Sequence, residues 1–327
     1  LYMDQPNYTR RNFLGSLALA GGAVSSGLIN PAKAEIPKPA HRSQEEKMTI
    51  HVFSKHLQFL DYQHTAEVSA EIGFDGVDLA VRPKGHVLPE NVETDLPKAV
   101  EAIKNAGLEA KIMTTAVIDA NDKTNETLLK TASEQGIRYY RCNWLKYGKE
   151  PNVAQAIPDF QKKLAALARL NERYGISAGY QNHAGAQYVG SPVWDIAYML
   201  QEINHPNLGS QYDIRHATVE GGLSWPLGLQ FIHPHINTLV IKDFRWEKVN
   251  GKWKVFNTPL GEGMVEFPAF FQKVKEMNIR VPISVHFEYE MPEKDESLSE
   301  SEKVKQTVAV MKKDVDALRG YLSEAGL

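Results

Sequence analysis

From residue 48 onward the chain repeats one unit. An amphipathic helix closes in Gly or Asn, an apolar residue follows, and then comes a short run rich in β-branched and aromatic residues. Such runs lie at 49–55, 76–81, 110–116, 139–144, 177–182, 208–213, 238–243 and 282–288. Their starts are roughly 27 to 44 residues apart, room for a strand, a helix and two loops. The intervening segments keep a helical period: Phe160, Leu164, Leu167 and Tyr174 share one face, as do Ile196, Met199, Leu200 and Ile203, and Phe270, Val274 and Met277. Gly73, Gly107, Gly136 and Gly175 stand where helices end. A last helix is expected through Val308, Met311, Val315 and Leu322. Eight strands each followed by a helix predict an α/β fold, a (β/α)8 TIM barrel with right-handed crossovers. The competing doubly wound open sheet would bring a Gly-rich first turn, which the chain lacks. Between strands seven and eight, Asn250-Gly251 is flanked by strand-like stretches at 245–249 and 252–256, predicting a β-hairpin inserted at the rim.

Only the first stretch breaks the pattern. Thr9-Arg10-Arg11-Asn12-Phe13-Leu14 is a twin-arginine pattern, followed by an apolar run over 17–29 and a small-x-small site at Ala32-Lys33-Ala34. The run is shorter than the roughly 20 residues a membrane span needs. The expected division is therefore a signal peptide at 1–34, a linker at 35–47 and the barrel at 48–327. It implies periplasmic delivery by twin-arginine export and no stable membrane anchor in the mature form. Residues 1–34 carry Arg10, Arg11 and Lys33 against Asp4, so their loss takes the net charge from −3 to −5. No Lys/Arg run reaches five residues, which speaks against a nucleic-acid partner. Cys142 is the only cysteine, so no intramolecular disulfide can form.

In such a barrel the chemistry projects from the C-terminal ends of the strands. Read in order, those ends carry Lys55-His56, Asp78, Arg141 with Asn143 and Trp144, and Tyr180-Gln181-Asn182-His183. Then come Tyr212-Asp213-Ile214-Arg215-His216, Lys242-Asp243 and His286-Phe287-Glu288. Side chains alternate along a strand, so Gln181 shares a face with His183 and His286 with Glu288. Nitrogen and oxygen donors converging from three strands suit Mn, Zn, Mg or Co, with Gln181, Asp213 and His286 as the expected ligands of a divalent ion. A metal-free pocket that hydrogen-bonds sugar hydroxyls, with Trp144 or Trp225 as a stacking platform, is the alternative.

Ile72-Gly73-Phe74-Asp75-Gly76-Val77-Asp78, Gln181-Asn182-His183, Asp213-Ile214-Arg215-His216, Ile241-Lys242-Asp243-Phe244 and Pro259-Leu260-Gly261-Glu262-Gly263 together resemble the sugar phosphate isomerase/epimerase superfamily, the xylose-isomerase-like TIM barrels, over about residues 48–290. In that superfamily a metal is usually held by Glu, Asp, His and Glu on strands five to eight. The matching positions here are Gln181, Asp213, Val240 and His286, so only Asp213 is unchanged, and Val240 cannot bind metal. The altered set resembles a subgroup acting on oxidised (keto) sugars. The resemblance implies an enzyme that removes a proton α to a sugar carbonyl, with Glu288 or His183 as the base and Lys242 opposing developing negative charge. His216, Arg141, Asn143, Trp144, Lys55 and Trp225 are the expected contacts to a small carbohydrate substrate. Isomerisation, epimerisation and β-elimination or hydration of a keto-glycoside share the same enediolate and stay open. So do a non-catalytic periplasmic sugar-binding protein and homo-oligomerisation. The apurinic-endonuclease branch would need a denser His/Asp/Glu cluster than this chain carries.

Overall fold

The computed structural model describes residues 48–149 and 152–327. The expected signal peptide and linker lie outside the described residues. Strands β1 (Ile50–Phe53), β2 (Gly76–Val81), β3 (Glu109–Thr115), β4 (Tyr139–Arg141), β5 (Ser177–Gln181), β6 (Leu208–Asp213), β7 (Ile236–Ile241) and β10 (Ile283–Val285) form a closed parallel barrel in that order. Closure sets Ile50 beside Ile283 and Val52 beside Val285. These are the eight expected strands. Between β7 and β10 lies the expected hairpin, β8 (Asp243–Val249) and β9 (Lys252–Thr258), turning at Asn250 and Gly251, both at positive φ as this turn type requires.

Helices α1 (Tyr62–Ile72), α2 (Val92–Asn105), α3 (Lys123–Glu134), α4 (Val153–Tyr174), α5 (Trp194–Ile203), α6 (Ile214–Gly221), α7 (Trp225–Ile232), α8 (Phe267–Glu276) and α9 (Glu300–Ala325) surround the barrel. Each buries one face, as α4 does with Leu164, Leu167 and Leu170. It stops at Gly175, whose φ of 62° a side chain would resist. Ser299 and Glu302 form a capping box that starts α9, a feature worth about 1 kcal/mol. Strands such as β7 are buried on both faces and read as near-continuous apolar runs. No helix among the described residues is long and apolar enough to cross a membrane.

Four strands end two or three residues earlier at the mouth than their composition predicts: β1 at Phe53, β4 at Arg141, β7 at Ile241 and β10 at Val285. The ladder stops where the backbone turns to other partners. Ser54–Leu57 winds into a short 3-10 turn, Asn143 N–H donates to Val117 O, and Phe287 N–H donates to His56 Nε2. Several residues expected at strand tips, among them Lys55, Lys242 and Glu288, therefore stand on the first turns beyond the barrel, over its C-terminal mouth.

Candidate active site at the barrel mouth

Asp213 ends β6 and also caps α6, its Oδ1 accepting from the His216 N–H at 3.0 Å. One residue thus stops a strand, starts a helix and leaves its second oxygen facing the barrel axis. That oxygen, Oδ2, accepts from Gln181 Nε2 at 2.8 Å and pairs with Lys242 Nζ at 3.1 Å. All three side chains are buried. Lys242 Nζ also lies 2.9 Å from His216 Nε2, while Arg215 Nη1 lies 2.9 Å from His216 Nδ1. Burial first and Lys242 second hold His216 well below the usual imidazole range, so the ring is neutral and can accept from only one of its two cationic neighbours at a time. The Asn182 side chain locks β5 to β6, with Nδ2 donating to Asp213 O and Oδ1 accepting from Asp213 N–H.

His183 follows on the loop after β5, half-buried, its ring packed at a tilt against His216, with ring centroids 4.1 Å apart, and against Tyr188 at 4.4 Å. Its Nδ1 lies 2.9 Å from Ala184 O. A carbonyl only accepts, so Nδ1 carries the proton and Nε2 keeps a lone pair. Burial, then Lys242, lowers its pKa. Trp144 closes this side: its Nε1 donates to Gln181 O, its ring meets His183 edge-on, and the Arg141 guanidinium sits 4.1 Å from its centroid. Arg141 Nη2 donates to Thr115 O, leaving buried Nε and Nη1 without a protein partner. Asn143 spends its side-chain oxygen on the Trp144 N–H, bracing that loop.

Across the mouth, Lys55 Nζ pairs with Glu288 Oε2 at 3.2 Å. Burial alone would raise the Glu288 carboxyl, but Lys242 and Lys55 outweigh it and bring it down to about 2. His286 is buried against Phe53, with Nδ1 4.0 Å from Glu288 Oε1 and Nε2 unpartnered. Burial, then Lys242, keeps it neutral, far below the usual imidazole range.

Two expectations change here. Trp225 is no platform: it opens helix α7 in the outer layer, buried against Phe270. The divalent-ion set does not assemble either. Asp213 Oδ2 is shared by an amide and an ammonium, and a carboxylate only accepts, so Gln181 must present its NH2 rather than its oxygen. Val240 is the residue beside Asp213 in the β6–β7 register, and His286 binds into no common cluster with them. Among the described residues, no group of three His, Cys, Asp or Glu could hold an ion. The donors present therefore do not fit a divalent metal.

Asp243, the other half of the Lys242-Asp243 pair, turns to the backbone instead. Its carboxylate accepts backbone N–H groups from Phe244, Gly261, Gly263 and Val265, folding the Pro259–Val265 segment over the mouth. Arg215, which the sequence places in a strand-end motif but without a role, bridges the site to the hairpin through Asn257 Oδ1 at 2.6 Å.

The family model described as xylose isomerase-like TIM barrel matches residues 66–314. Nothing among curated proteins matches the sequence. Among solved structures, D-allulose 3-epimerase from Methylomonas sp. in complex with D-allulose is similar at 14% identity, TM-score 0.62, over 85% of this chain and 98% of that one. The apo form of 3-keto-D-glucoside 4-epimerase from E. coli is similar at 14% identity, TM-score 0.63, over 84% and 100%. A probable 3-DHS dehydratase from Bacillus anthracis is similar at 14% identity, TM-score 0.59, over 83% and 98%. At such identities the likeness is one of fold.

Proposed function

Because the chain belongs to the xylose isomerase-like TIM-barrel family, we propose that it is an enzyme of the sugar isomerase/epimerase type, removing a proton α to a sugar carbonyl. One observation carries this: a neutral imidazole with a free lone pair, His183, its ring centroid 4.1 Å from that of His216, which in turn touches the buried ammonium of Lys242. A base beside a fixed cation is what enolisation needs, since the base takes the proton while the cation stabilises the oxygen that becomes negative. His183 Nε2 accepts the α proton and Lys242 faces the enediolate oxygen. Glu288 is the weaker base, because it is held as an ion pair by Lys55; it binds hydroxyls instead. Arg141 Nε and Nη1 and His286 Nε2 are buried polar atoms without a protein partner, left for the oxygens of a bound sugar to satisfy. No step needs a divalent ion.

Returning the proton to the other face gives an epimer and returning it to the neighbouring carbon gives an isomer. Expelling a β-substituent gives elimination, a second outcome favoured by the likeness to a probable dehydratase. Two of the similar structures are named as sugar 3- and 4-epimerases, which is the kind of change proposed.

The test is exchange of the α proton of a keto-sugar or keto-glycoside in deuterated water, followed by NMR, with the products identified. Wild type exchanges it; His183→Gln exchanges it about 10²–10⁴-fold more slowly with sugar binding little changed. Glu288→Gln loses affinity more than rate. Exchange that survives in His183→Gln and disappears in Glu288→Gln reverses the two roles. Binding of several sugars without exchange in any of them makes the protein a sugar-binding protein.

A further inference from the structure

We propose that Lys242 is a built-in replacement for a divalent ion: its ammonium supplies the positive charge at the centre of the mouth, and the protein neither binds nor needs a metal there. Asp213 is a carboxylate with no solvent exposure, and such a charge requires a countercharge at hydrogen-bonding distance. Lys242 provides it at 3.1 Å, reaching from the turn after β7 across to the end of β6. The same ammonium lies 2.9 Å from an imidazole nitrogen, His216 Nε2, so a buried oxygen and a nitrogen lone-pair site at the centre of the mouth both face Lys242. A divalent ion bound through Asp213 would sit about 2 Å from that carboxylate, against the like charge that Lys242 already places there. The neighbouring positions agree. Gln181 turns its amide NH2 to Asp213, and Val240 offers no lone pair.

An ammonium has three protons. Asp213 takes one and His216 can take a second, while no protein acceptor among the described residues is recorded for the third. With 7% of the side chain exposed, that proton is the one that can meet a substrate oxygen. Lys242 then does for a developing oxyanion what a Lewis acid would do, as a single charge fixed before substrate arrives. Its role in turnover rests on the enolising reaction proposed above; its exclusion of metal does not.

Two measurements separate these. Purified wild type, dialysed with and without chelator, is assayed for bound metal and melted with added Mn²⁺, Co²⁺ or Zn²⁺. Near-zero metal and an unchanged melting temperature are expected, because an ion binding only the folded state would have to stabilise it. Close to one ion per chain, lost in Asp213→Asn, overturns the proposal whatever the activity. For turnover, Lys242→Met is compared with Lys242→Met/Asp213→Asn, which removes both charges and so avoids leaving a buried carboxylate alone. Loss of α-proton exchange by about 10²–10³-fold in the folded double variant, with the wild-type rate indifferent to chelator, supports the role. A chelator-sensitive wild-type rate, or full exchange in the double variant, overturns it.

Discussion

At Asp314, on α9, the fold buries a carboxyl group whose hydrogen bonds come from a tyrosine hydroxyl and a backbone N–H. Tyr289 Oη donates to it at 3.0 Å and Leu260 N–H at 3.3 Å, tying the last helix to the loops after β9 and β10. Burial, only partly offset by these bonds, raises its pKa from 3.8 to about 6. Between those values the folded state holds the proton more tightly than the unfolded chain does. This contribution to stability is therefore intact at low pH and is lost as pH rises from about 4 to 6, on the order of 3 kcal/mol in full. Asp314→Asn, which mimics the protonated group, should gain on wild type across that window and keep a constant margin above it. Denaturant unfolding at pH 4, 5, 6 and 7.5 measures the margin, and parallel curves would mean the group titrates normally. The same scale shows what sequence could and could not give at the mouth. Gln181, Asp213, His216, Lys242 and Glu288 were legible because strand ends and alternation locate them. Which atom faces which was not. The four-carbon stem of Lys242 reaches back to Asp213 on the preceding strand, a choice no spacing encodes. Trp225 misled because an aromatic soon after a His motif invites a stacking role. Yet Ser224 before it and Pro226 after it are the marks of a helix start, and a helix it is.

Among the elements, the segment after the hairpin depends most on one side chain. Pro259–Val265 has little regular structure, and its N–H groups at Gly261, Gly263 and Val265 all find Asp243. Burial raises the Asp243 pKa while these three backbone bonds and a fourth from Phe244 pull it down. Gly263 is explained by the same contact, since a Cβ there would run into the Asp243 carboxylate and Phe244 O. The Gly-Glu-Gly run was visible as a motif; its cause, a carboxylate nineteen or so residues earlier, was not. Asp243→Ala leaves four N–H groups without an acceptor and should cost at least about 3 kcal/mol, and Gly263→Ala should also destabilise. Hydrogen exchange should show the loss confined first to this segment and the hairpin. Uniform loosening of the whole barrel, or none, would contradict the assignment. The strands themselves were read to the residue at β2 and β6, which end at Val81 and Asp213 as expected. They were overextended at β10, where His286 and Glu288 look strand-like but the ladder has already given way to side-chain contacts.

At the scale of the whole molecule, the barrel closes only when its last strand meets its first. Ile50 lies beside Ile283, so nothing short of nearly the full chain can complete the sheet. A chain of that kind suits a route that carries folded proteins. We propose that residues 1–34 direct twin-arginine export, on the strength of Arg10-Arg11, the apolar run behind them and Ala32-Lys33-Ala34. Lys keeps the charge but not the planar guanidinium fork, so replacing both arginines with Lys tests recognition rather than charge. The double-Lys precursor should accumulate in the cytoplasm, folded and able to exchange a keto-sugar's α proton, because the barrel lies wholly downstream of the changed residues. Wild type should appear in the periplasm with Glu35 as its first residue, and fractionation with N-terminal sequencing reads both results. A double-Lys protein delivered to the periplasm at the wild-type level would assign the segment to the general secretory route. The barrel would then have to fold after crossing the membrane.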